Sequence, residues 1–318
     1  MKTSAPVPQS AVPAFFMAAV LLSGCAGYAP LARESLAPFD QPVQIERVKF
    51  YPQTELHCGP AALATVLDHS GIVVDYPSLV DRVYLPGRGG TLQVELLAAA
   101  RGHNRIPWIL PPKPKAVLAE VAAGRPVLVL ENQGMRRFPY WHYAVVIGFD
   151  PDLGTLTQHS GTDAAIARPL RRWLRDWTLA DRWALITLSP DELPLEPEPR
   201  RWLHTVADFE SVAEPSAALT AWQTAARQWP DEPLVWLGQG NSQYQLGDLE
   251  SAIAAFEQAL TLNPDQAAAA FNLGQVLLQS GQSCAALEPL NRVIEHPALS
   301  ERALHSLDKA RRDCVADP

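Results

Sequence analysis

Cys58 and His142 are the residues of this 318-residue chain whose types and surroundings point most clearly to chemistry. Cys58 precedes Gly59-Pro60 and an Ala- and Leu-rich segment. Because proline is tolerated in the first turn of a helix, we expect Cys58 to lie at a helix N-terminus. The unpaired amides and the positive end of the helix dipole there favour thiolate over thiol. His142 opens the apolar run His-Tyr-Ala-Val-Val-Ile-Gly-Phe, so the pair is predicted to be a thiol nucleophile and its base.

The elements that must position this pair change character along the chain. The hydrophobic spacing first predicts helices and then mostly strands. The predicted helices are 58–69, 77–84, 91–100 and 114–123, and the predicted strands are 105–110, 126–130, 142–149 and 155–158. A helical first half followed by an antiparallel sheet is an α+β pattern.

The order of motifs from residue 45 to 165 resembles the papain-like peptidases that process the double-glycine leaders of bacteriocins. It runs from Gln53 and Cys58-Gly-Pro-Ala-Ala-Leu, through a Gly-Thr before a helix, an Arg-Gly after it and a Gly-x-Pro-Val strand, to His142-Tyr-Ala-Val-Val. The resemblance implies that Cys58 is the nucleophile, His142 its base and Gln53 the side-chain donor to the oxyanion. Such a donor is worth about 3 kcal/mol of barrier. A structural glutamine that caps a loop is the alternative for Gln53.

One position departs from the family pattern. In the family an aspartate at the end of the strand after the histidine orients the imidazole, but the matching stretch here is Gln158-His-Ser160. Ser160 or Gln158 could accept a hydrogen bond from His142, and Asp163 lies nearby in the sequence, so the orienting residue is left open. The family's transporter spans and ATP-binding domain are not expected here, and leader cleavage during export therefore does not carry over.

The N-terminal segment places a second cysteine in a different role. Lys2, an apolar stretch over 15–22 and the small residues Ser23-Gly24 precede Cys25. The stretch is too short for a membrane-spanning helix. It resembles a bacterial lipoprotein signal, which implies cleavage after residue 24, acylation of Cys25 and a tether over 25–44. Gly27 is not acidic, so the resemblance favours an outer-membrane lipoprotein that faces the periplasm.

The C-terminal region repeats with a period of 34 residues, which predicts an all-α solenoid over 199–318. The recurring positions resemble the tetratricopeptide repeat; they include Trp202 and Trp236, Ala218, Ala252 and Ala286, and Gly240 and Gly274. About three repeats and a terminal helix over 300–313 are expected, with Pro215 interrupting the opening helix of the first repeat. The Pro-rich linker 189–198 is predicted to separate this array from a papain-like domain over 45–188.

Two further cysteines lie in the repeat region. Cys284 is expected in the second helix of the third repeat and Cys314 just after the terminal helix. Disulfides persist in exported proteins, so these two are candidates for a bridge that leaves Cys58 unpaired. Arrays of this type bind peptide segments or partner proteins on their concave face, which the resemblance implies here. A role limited to buttressing the papain-like domain is the alternative.

Composition narrows the class of function. The net charge is −8 and the pI is about 5.5, without a basic stripe, so nucleic acid is not expected as a partner. No phosphate-binding glycine loop and no His or Cys pair at metal-ligand spacing occurs, so no cofactor or metal is predicted. We expect a lipid-anchored cell-envelope cysteine peptidase that hydrolyses peptide bonds and binds proteins or peptides through its repeats. The alternatives are a catalytically silent scaffold that acts through the repeats, and a thiol acyltransferase or amidase.

Overall fold

The computed structural model describes residues 39–53 and 56–316. The predicted signal, Cys25 and the tether up to residue 38 lie outside the described residues. Within the described residues the first domain contains seven strands and five α-helices. Their bounds are β1 Val43–Gln44, α1 Cys58–His69, α2 Tyr76–Val83, α3 Gln93–Gly102, β2 Ile106–Ile109, α4 Pro114–Ala122, β3 Val127–Asn132, β4 Trp141–Asp150, β5 Thr155–Ser160, β6 Asp163–Pro169, α5 Leu170–Thr178 and β7 Ala184–Leu188.

The seven strands form one antiparallel sheet in the order β2-β7-β3-β4-β5-β6, with β1 paired to the far end of β4. Three helices therefore precede a sheet whose centre is β3 and β4, and the α+β prediction is confirmed. Strand β7, the last in sequence, lies between β2 and β3. In the register between β3 and β4, Glu131 lies directly opposite His142.

One face of the sheet packs against α1. Residues 59–67 of this helix are all buried, because neighbouring helices and the sheet surround it. A helix that is apolar all round belongs inside a protein, which explains its run of Ala, Leu and Val. Gly59 is required at its first turn, because a Cβ there would lie 2.5 Å from Cβ of Thr91. The N-terminus that carries Cys58 is thereby fixed against the segment before α3.

The repeat region consists of helix pairs. Their bounds are α6 Pro199–Glu210, α7 Pro215–Gln228, α8 Pro233–Gln245, α9 Leu249–Leu262, α10 Ala267–Gln279, the short α11 Leu287–Asn291 and α12 Ser300–Ala316. The prediction that Pro215 interrupts the opening helix of the first repeat is wrong, since Pro215 is the first residue of α7 and its missing N–H has no partner to lose there. The predicted all-α repeat array is confirmed.

The second face of the sheet packs against the repeat region, and the two regions share one hydrophobic core. Trp202, Phe209 and Trp222 of the first repeat belong to the same buried cluster as Val129 and Val146 of the sheet. Trp202 lies 5.7 Å from Trp108 between ring centroids. In the segment between the two regions, the amide of Leu195 donates to Glu120 at 3.1 Å. The connection is thus packed onto α4 rather than standing clear of the domain.

Glycines set the spacing of the repeat helices. A Cβ at Gly240 would lie 2.6 Å from the ring of Phe256, and one at Gly274 would lie 2.5 Å from Leu290. The ring of Phe256 and the side chain of Leu290 are both buried, so neither has room to move aside. The large residue of one helix thus fills the gap left by the small residue of the next.

We expect Gly240→Ala to destabilise the repeat region by about 1–3 kcal/mol through overpacking against Phe256. Alanine is the better helix former by up to about 1 kcal/mol, so a net loss isolates the packing cost. Urea unfolding followed by circular dichroism measures it. Gly87→Ala is the control, because a Cβ at Gly87 meets no atom within 4 Å. Equal stability of the two variants would contradict the packing account.

Cys284 and Cys314 form a disulfide with Cα atoms 4.8 Å apart, as predicted. Their positions differ from the prediction. Cys284 lies in a turn before α11, and Cys314 lies within α12 rather than after it. The predicted second helix of the third repeat is short because Pro289 and the turns around it leave only residues 287–291 helical. The bridge joins this irregular segment to the terminal helix.

Candidate active site

Cys58 is the first residue of α1, as predicted, and it is a free thiol. Its sulfur is close to the main-chain amides of Tyr143, Gly59 and Cys58 itself. Tyr143 follows His142 in β4, so the thiol lies against the strand that carries the predicted base. The Tyr143 hydroxyl in turn donates to the carbonyl of Thr91 at 3.3 Å, which ties β4 to the segment packed on Gly59.

The protonation state of Cys58 differs from the sequence prediction. A helix N-terminus was expected to lower the pKa of the thiol, but burial raises it. The three amides around the sulfur act in the opposite direction, and the loss of solvation outweighs them. The resting side chain is therefore a thiol at neutral pH, and a proton acceptor is needed to generate the nucleophile.

His142 provides a neutral imidazole. Burial, followed by the positive charge of Arg168, lowers the pKa of His142 to about 4. Its Nε2 lies 2.8 Å from Oγ of Ser160. Because Nε2 is engaged by Ser160, Nδ1 is the ring nitrogen left to exchange a proton with a thiol. A neutral imidazole is the form that can accept a proton.

Ser160 therefore occupies the orienting position that the sequence left open among three residues. Gln158 is fully buried on the same strand and lies near Glu131, and no hydrogen bond joins it to His142 within the described chain. Asp163 is exposed in β6, opposite Ser160 in the register. The hydroxyl of Ser160 is held in the sheet by the strand pairs on either side of β5. The group on the far side of the imidazole is thus a neutral hydroxyl.

A buried charged cluster of Glu131, Arg168 and Asp176 lies beside His142. Arg168 donates to Glu131 at 2.5 Å and to Asp176 at 2.6 Å, and both carboxylates are almost completely buried. Burial raises the pKa of Glu131, and the charge of Arg168 opposes that shift. The sequence analysis missed this cluster, because its three members lie on β3, β6 and α5 and no local spacing connects them. Its arginine adds to the effect of burial, which is the larger cause of the lowered pKa of His142.

Cys58 and His142 line one cavity of about 910 Å³. Its walls come from α1, the loop before α3, the start of β4 and the turn before β7; they include Arg88, Thr91, Tyr140, Trp141, Arg182 and Trp183. No group of side chains suited to hold a metal occurs among the described residues. The cavity therefore brings a thiol and a neutral imidazole together in a site large enough for a segment of polypeptide.

Residues 45–160 match the model of the Peptidase_C39 like family, and residues 212–256 and 237–300 match that of the tetratricopeptide repeat. The chain joins a C39-like peptidase domain to a tetratricopeptide repeat array. No curated protein is similar enough to the chain to count as a match. In the described part of the chain, no helix has the length and apolar character needed to span a membrane.

Solved structures resemble each part of the chain separately. A putative C39-like peptidase from Bacillus anthracis is 17% identical over 47% of this chain and 98% of its own, with a TM-score of 0.42. The MamA protein is 20% identical over 36% of this chain, with a TM-score of 0.34, and this chain spans 63% of that structure. The TPR2B domain of yeast Sti1 in its pHsp70 complex is 15% identical over 36% of this chain and 96% of its own, with a TM-score of 0.33.

A main-chain hydrogen bond fixes the position of Gln53 in the C39-like domain. Its amide donates to the carbonyl of Gly161 at 3.2 Å, next to Ser160 in the turn between β5 and β6. Residues 54 and 55, which connect Gln53 to the segment before Cys58, lie outside the described chain. The role of Gln53 as an oxyanion donor stays a prediction. His57, the neighbour of Cys58, packs edge-on against Tyr84 at 5.0 Å between ring centroids.

Aromatic residues of the C39-like domain divide between core and cavity. Trp108 is buried against Trp202. Tyr140 and Trp141 line the cavity and are exposed. His159 is structural, because Nε2 contacts the carbonyl of Val48 at 3.1 Å and Nδ1 accepts from the amide of Ala165.

Replacing Ser160 by alanine is expected to lower the rate of the peptide hydrolysis proposed below roughly fivefold. The loss of one hydrogen bond worth about 1 kcal/mol frees the imidazole to rotate and to change tautomer. Nitrogen NMR of the histidine rings measures the tautomer of His142 directly. Ser160→Thr keeps the hydroxyl and is the control. A Ser160→Ala protein with unchanged rate and tautomer would show that the contact does not orient the ring.

The folded C39-like domain is expected to lose stability as the pH falls from 6.5 to about 4 through His142. The imidazole stays neutral in the folded protein in this window, whereas the unfolded chain binds a proton, so acid favours unfolding. The contribution is fully present above pH 6.5 and reaches about 3 kcal/mol at most. Urea unfolding of wild type and His142→Gln at about pH 4.5, inside that window, and at about pH 7, above it, measures the contribution. Identical pH dependence of the two proteins would contradict the burial of a neutral imidazole.

Proposed function

We propose that this protein is a cysteine peptidase that hydrolyses peptide bonds in the cell envelope, where acylated Cys25 anchors it. The main support for the proposed catalysis is the hydrogen bond between Nε2 of His142 and the hydroxyl of Ser160. This contact leaves Nδ1 of a neutral imidazole in the cavity that also contains the only free thiol of the described residues.

Both catalytic side chains are neutral before the substrate binds. In the first step, Nδ1 of His142 takes the proton from Sγ of Cys58, and the thiolate attacks the carbonyl carbon of the scissile bond. The resulting oxyanion accepts hydrogen bonds from the amide of Cys58 and from the side chain of Gln53. The tetrahedral adduct then collapses, and the departing amine takes the proton from His142.

The second half of the cycle uses the same groups. A thioester joins Cys58 to the acyl part of the substrate, and His142 activates a water molecule that attacks it. Release of the acid regenerates the thiol. The positive charge of Arg168 opposes the imidazolium that forms in both steps, so the cluster favours rapid return of the proton to the substrate.

A proteome-derived peptide library tests the peptidase activity without a known substrate. Purified protein is incubated with the library, and new peptide ends are identified by mass spectrometry. Cleavages that require Cys58 are those missing with the Cys58→Ala protein, in which the nucleophile is removed. If wild type and Cys58→Ala give the same peptides, the protein is not a peptidase.

The catalytically silent scaffold remains the second candidate, because a serine replaces the family's carboxylate and burial raises the pKa of the thiol. Acyl transfer to an added amine would instead identify a transferase. Both outcomes are visible in the same library experiment when a labelled primary amine is included. Labelled acyl products dependent on Cys58 point to transfer, and no Cys58-dependent product points to the scaffold.

The repeat array is proposed to bind a protein or peptide. A cavity of about 750 Å³ on the repeats is lined mainly by polar side chains, including Asn241, Asn272 and Gln275. The amide of Asn272 donates to Asn241 at 2.9 Å, which links neighbouring repeats along this surface. Co-purification with wild type and with Asn241→Leu tests it; equal recovery of every partner would remove this role from the cavity.

The lipid anchor is tested by the fate of Cys25. Metabolic labelling with a palmitate analogue should mark the wild-type protein and not Cys25→Ser, and only the wild type should remain with the membrane fraction after a salt wash. An unlabelled wild-type protein would contradict the anchor. The peptidase proposal would be unaffected, because it depends on other residues.

A further inference from the structure

A β-hairpin beside the catalytic cavity exposes an unusual group of side chains. It connects β3 to β4 and consists of residues 132–141, with the sequence Asn-Gln-Gly-Met-Arg-Arg-Phe-Pro-Tyr-Trp. Four of its large apolar or aromatic side chains are more than half exposed: Met135 64%, Phe138 66%, Tyr140 63% and Trp141 52%. Single exposed apolar residues are common on protein surfaces, but a cluster of them marks an interaction site.

The tip of the hairpin is rigid. Met135 and Phe138 exchange two main-chain hydrogen bonds of 3.1 and 3.0 Å, so only Arg136 and Arg137 form the turn. The buried side chain of Asn132 accepts from the amides of Gly134 and Tyr140 at 3.0 and 2.9 Å. Gly134 is required, because a Cβ there would lie 2.4 Å from the carbonyl of Phe138.

These bonds satisfy the hairpin backbone internally. The amide of Gln133 also donates to the carbonyl of Tyr140 at 2.9 Å. Main-chain groups that are already paired lose no hydrogen bonds when a segment moves towards the apolar part of a bilayer. In this hairpin the amides of the Arg136-Arg137 turn remain for water or lipid headgroups.

The charge of the hairpin is opposite to that of the whole protein. The chain carries a net charge of −8, yet residues 132–141 contain two arginines and no acidic residue. Each cation near an anionic bilayer is worth about 1 kcal/mol, and tryptophan and tyrosine favour the headgroup level. Met135, Arg136, Arg137 and Phe138 do not line the cavity, and at this exposed tip two apolar side chains flank two cations, a combination that suits an anionic bilayer surface.

We infer that this hairpin docks the protein on an anionic bilayer surface, with Met135 and Phe138 entering the interface and Arg136 and Arg137 contacting lipid phosphates. Pro139, Tyr140 and Trp141 line the catalytic cavity, so docking brings the mouth of that cavity to the membrane. In this position, polypeptide segments close to the bilayer surface would be within reach of Cys58. The docking itself depends neither on catalysis nor on acylation of Cys25.

Vesicle co-sedimentation tests the inference with residues 25–318 carrying Cys25→Ser, which removes the predicted acyl group. We expect binding to phosphatidylcholine vesicles that contain phosphatidylglycerol, and binding at least tenfold weaker to phosphatidylcholine alone. Met135→Ser with Phe138→Ser should weaken binding about tenfold on the anionic vesicles. Arg136→Glu with Arg137→Glu should remove the preference for anionic lipid, and added salt should mimic that loss.

Arg171→Glu with Arg172→Glu is the matched control, because both arginines are exposed on α5, outside the cavity, and the change in net charge is the same. This control should bind like the parent. Failure of the parent to bind anionic vesicles, or equal binding by the hairpin variants, would overturn the inference.

The library experiment separates membrane docking from a substrate-binding role for the same hairpin. If the hairpin variants bind vesicles normally but lose cleavage of soluble peptides, the hairpin is a wall of the substrate site and the inference is wrong. If vesicle binding is lost while soluble peptides are cleaved normally, the membrane role is supported. If the parent protein cleaves no peptide, only the peptidase proposal is contradicted. The docking inference is unaffected, because vesicle binding is measured without any cleavage.

Discussion

Replacing His142 by alanine is expected to reduce peptide hydrolysis by about 10³-fold or more. The reason lies in the resting state of the pair. Burial raises the pKa of Cys58, so the thiol does not ionise by itself at neutral pH, and the imidazole must accept its proton. Where a thiolate already exists, the histidine is less important; the mechanism proposed here requires it because the thiol is protonated.

The rate of Cys58-dependent cleavage in the peptide library measures this effect, using a peptide identified with the wild type. The rate of His142→Ala should recover in part as the pH rises, because hydroxide then deprotonates the thiol. His305→Ala is the control, since His305 is exposed on α12 in the repeat region. A His142→Ala protein that cleaves at more than a tenth of the wild-type rate would exclude the proposed proton transfer, since general-base catalysis contributes roughly 10²-fold at least.

Wild-type hydrolysis should persist well below neutral pH for the same reason. The pKa of His142 is about 4, so the base is already neutral at pH 5, where an ordinary histidine would be protonated. Burial is the main reason for the low pKa of His142, and the charge of Arg168, which Glu131 and Asp176 hold in place, adds to it.

The sequence predicted the local features of the site well. The start of α1 at Cys58 followed from Gly59-Pro60 and the apolar run, and the strand predicted to start at His142 from its valines begins one residue earlier, at Trp141. Both signals lie within a few residues of the position they determine. The repeats were also predictable, because the same residue types recur every 34 residues along the chain.

Features that depend on distant contacts were not predictable. The sequence did not indicate β6, α5 or β7, and β7 finds its place between β2 and β3 only in the folded sheet. The direction of the shift in the pKa of Cys58 was predicted wrongly, because helix position is local information whereas burial depends on the whole fold. Ser160 was one of three open candidates, and only the register of β5 against β4 decides among them.

The packing of the two domains against each other differs most from what the sequence predicted. Three prolines over 189–198 indicated a spacer between separate units, yet Trp202 of the first repeat is buried against Trp108 of the sheet. Arg201 stacks over the Trp108 ring at 4.3 Å and also donates to the carbonyl of Ile109. Ile109 lines the catalytic cavity, so the first repeat contacts a strand that shapes the site.

Trp202→Ala is therefore expected to destabilise the C39-like domain by about 3–5 kcal/mol, although the residue belongs to the repeat array. The side chain is fully buried in the shared core, and its removal leaves a cavity against Trp108. The indole N–H of Trp202 has no hydrogen-bond partner within the described residues, so the loss is one of packing alone. Trp202→Phe, which retains part of the ring, should lose less.

Hydrogen exchange of the amides of β3 and β4 reports on the C39-like domain specifically, because these strands form the centre of its sheet. The protection of these amides should fall sharply in Trp202→Ala. Trp236→Ala is the matched control: its indole donates to the carbonyl of Pro230, and it packs with the core of the later repeats. That variant should loosen the repeats with little effect on the amides of β3 and β4. Equal protection of these amides in both variants would mean that the two domains fold independently and that the shared core contributes little to the site.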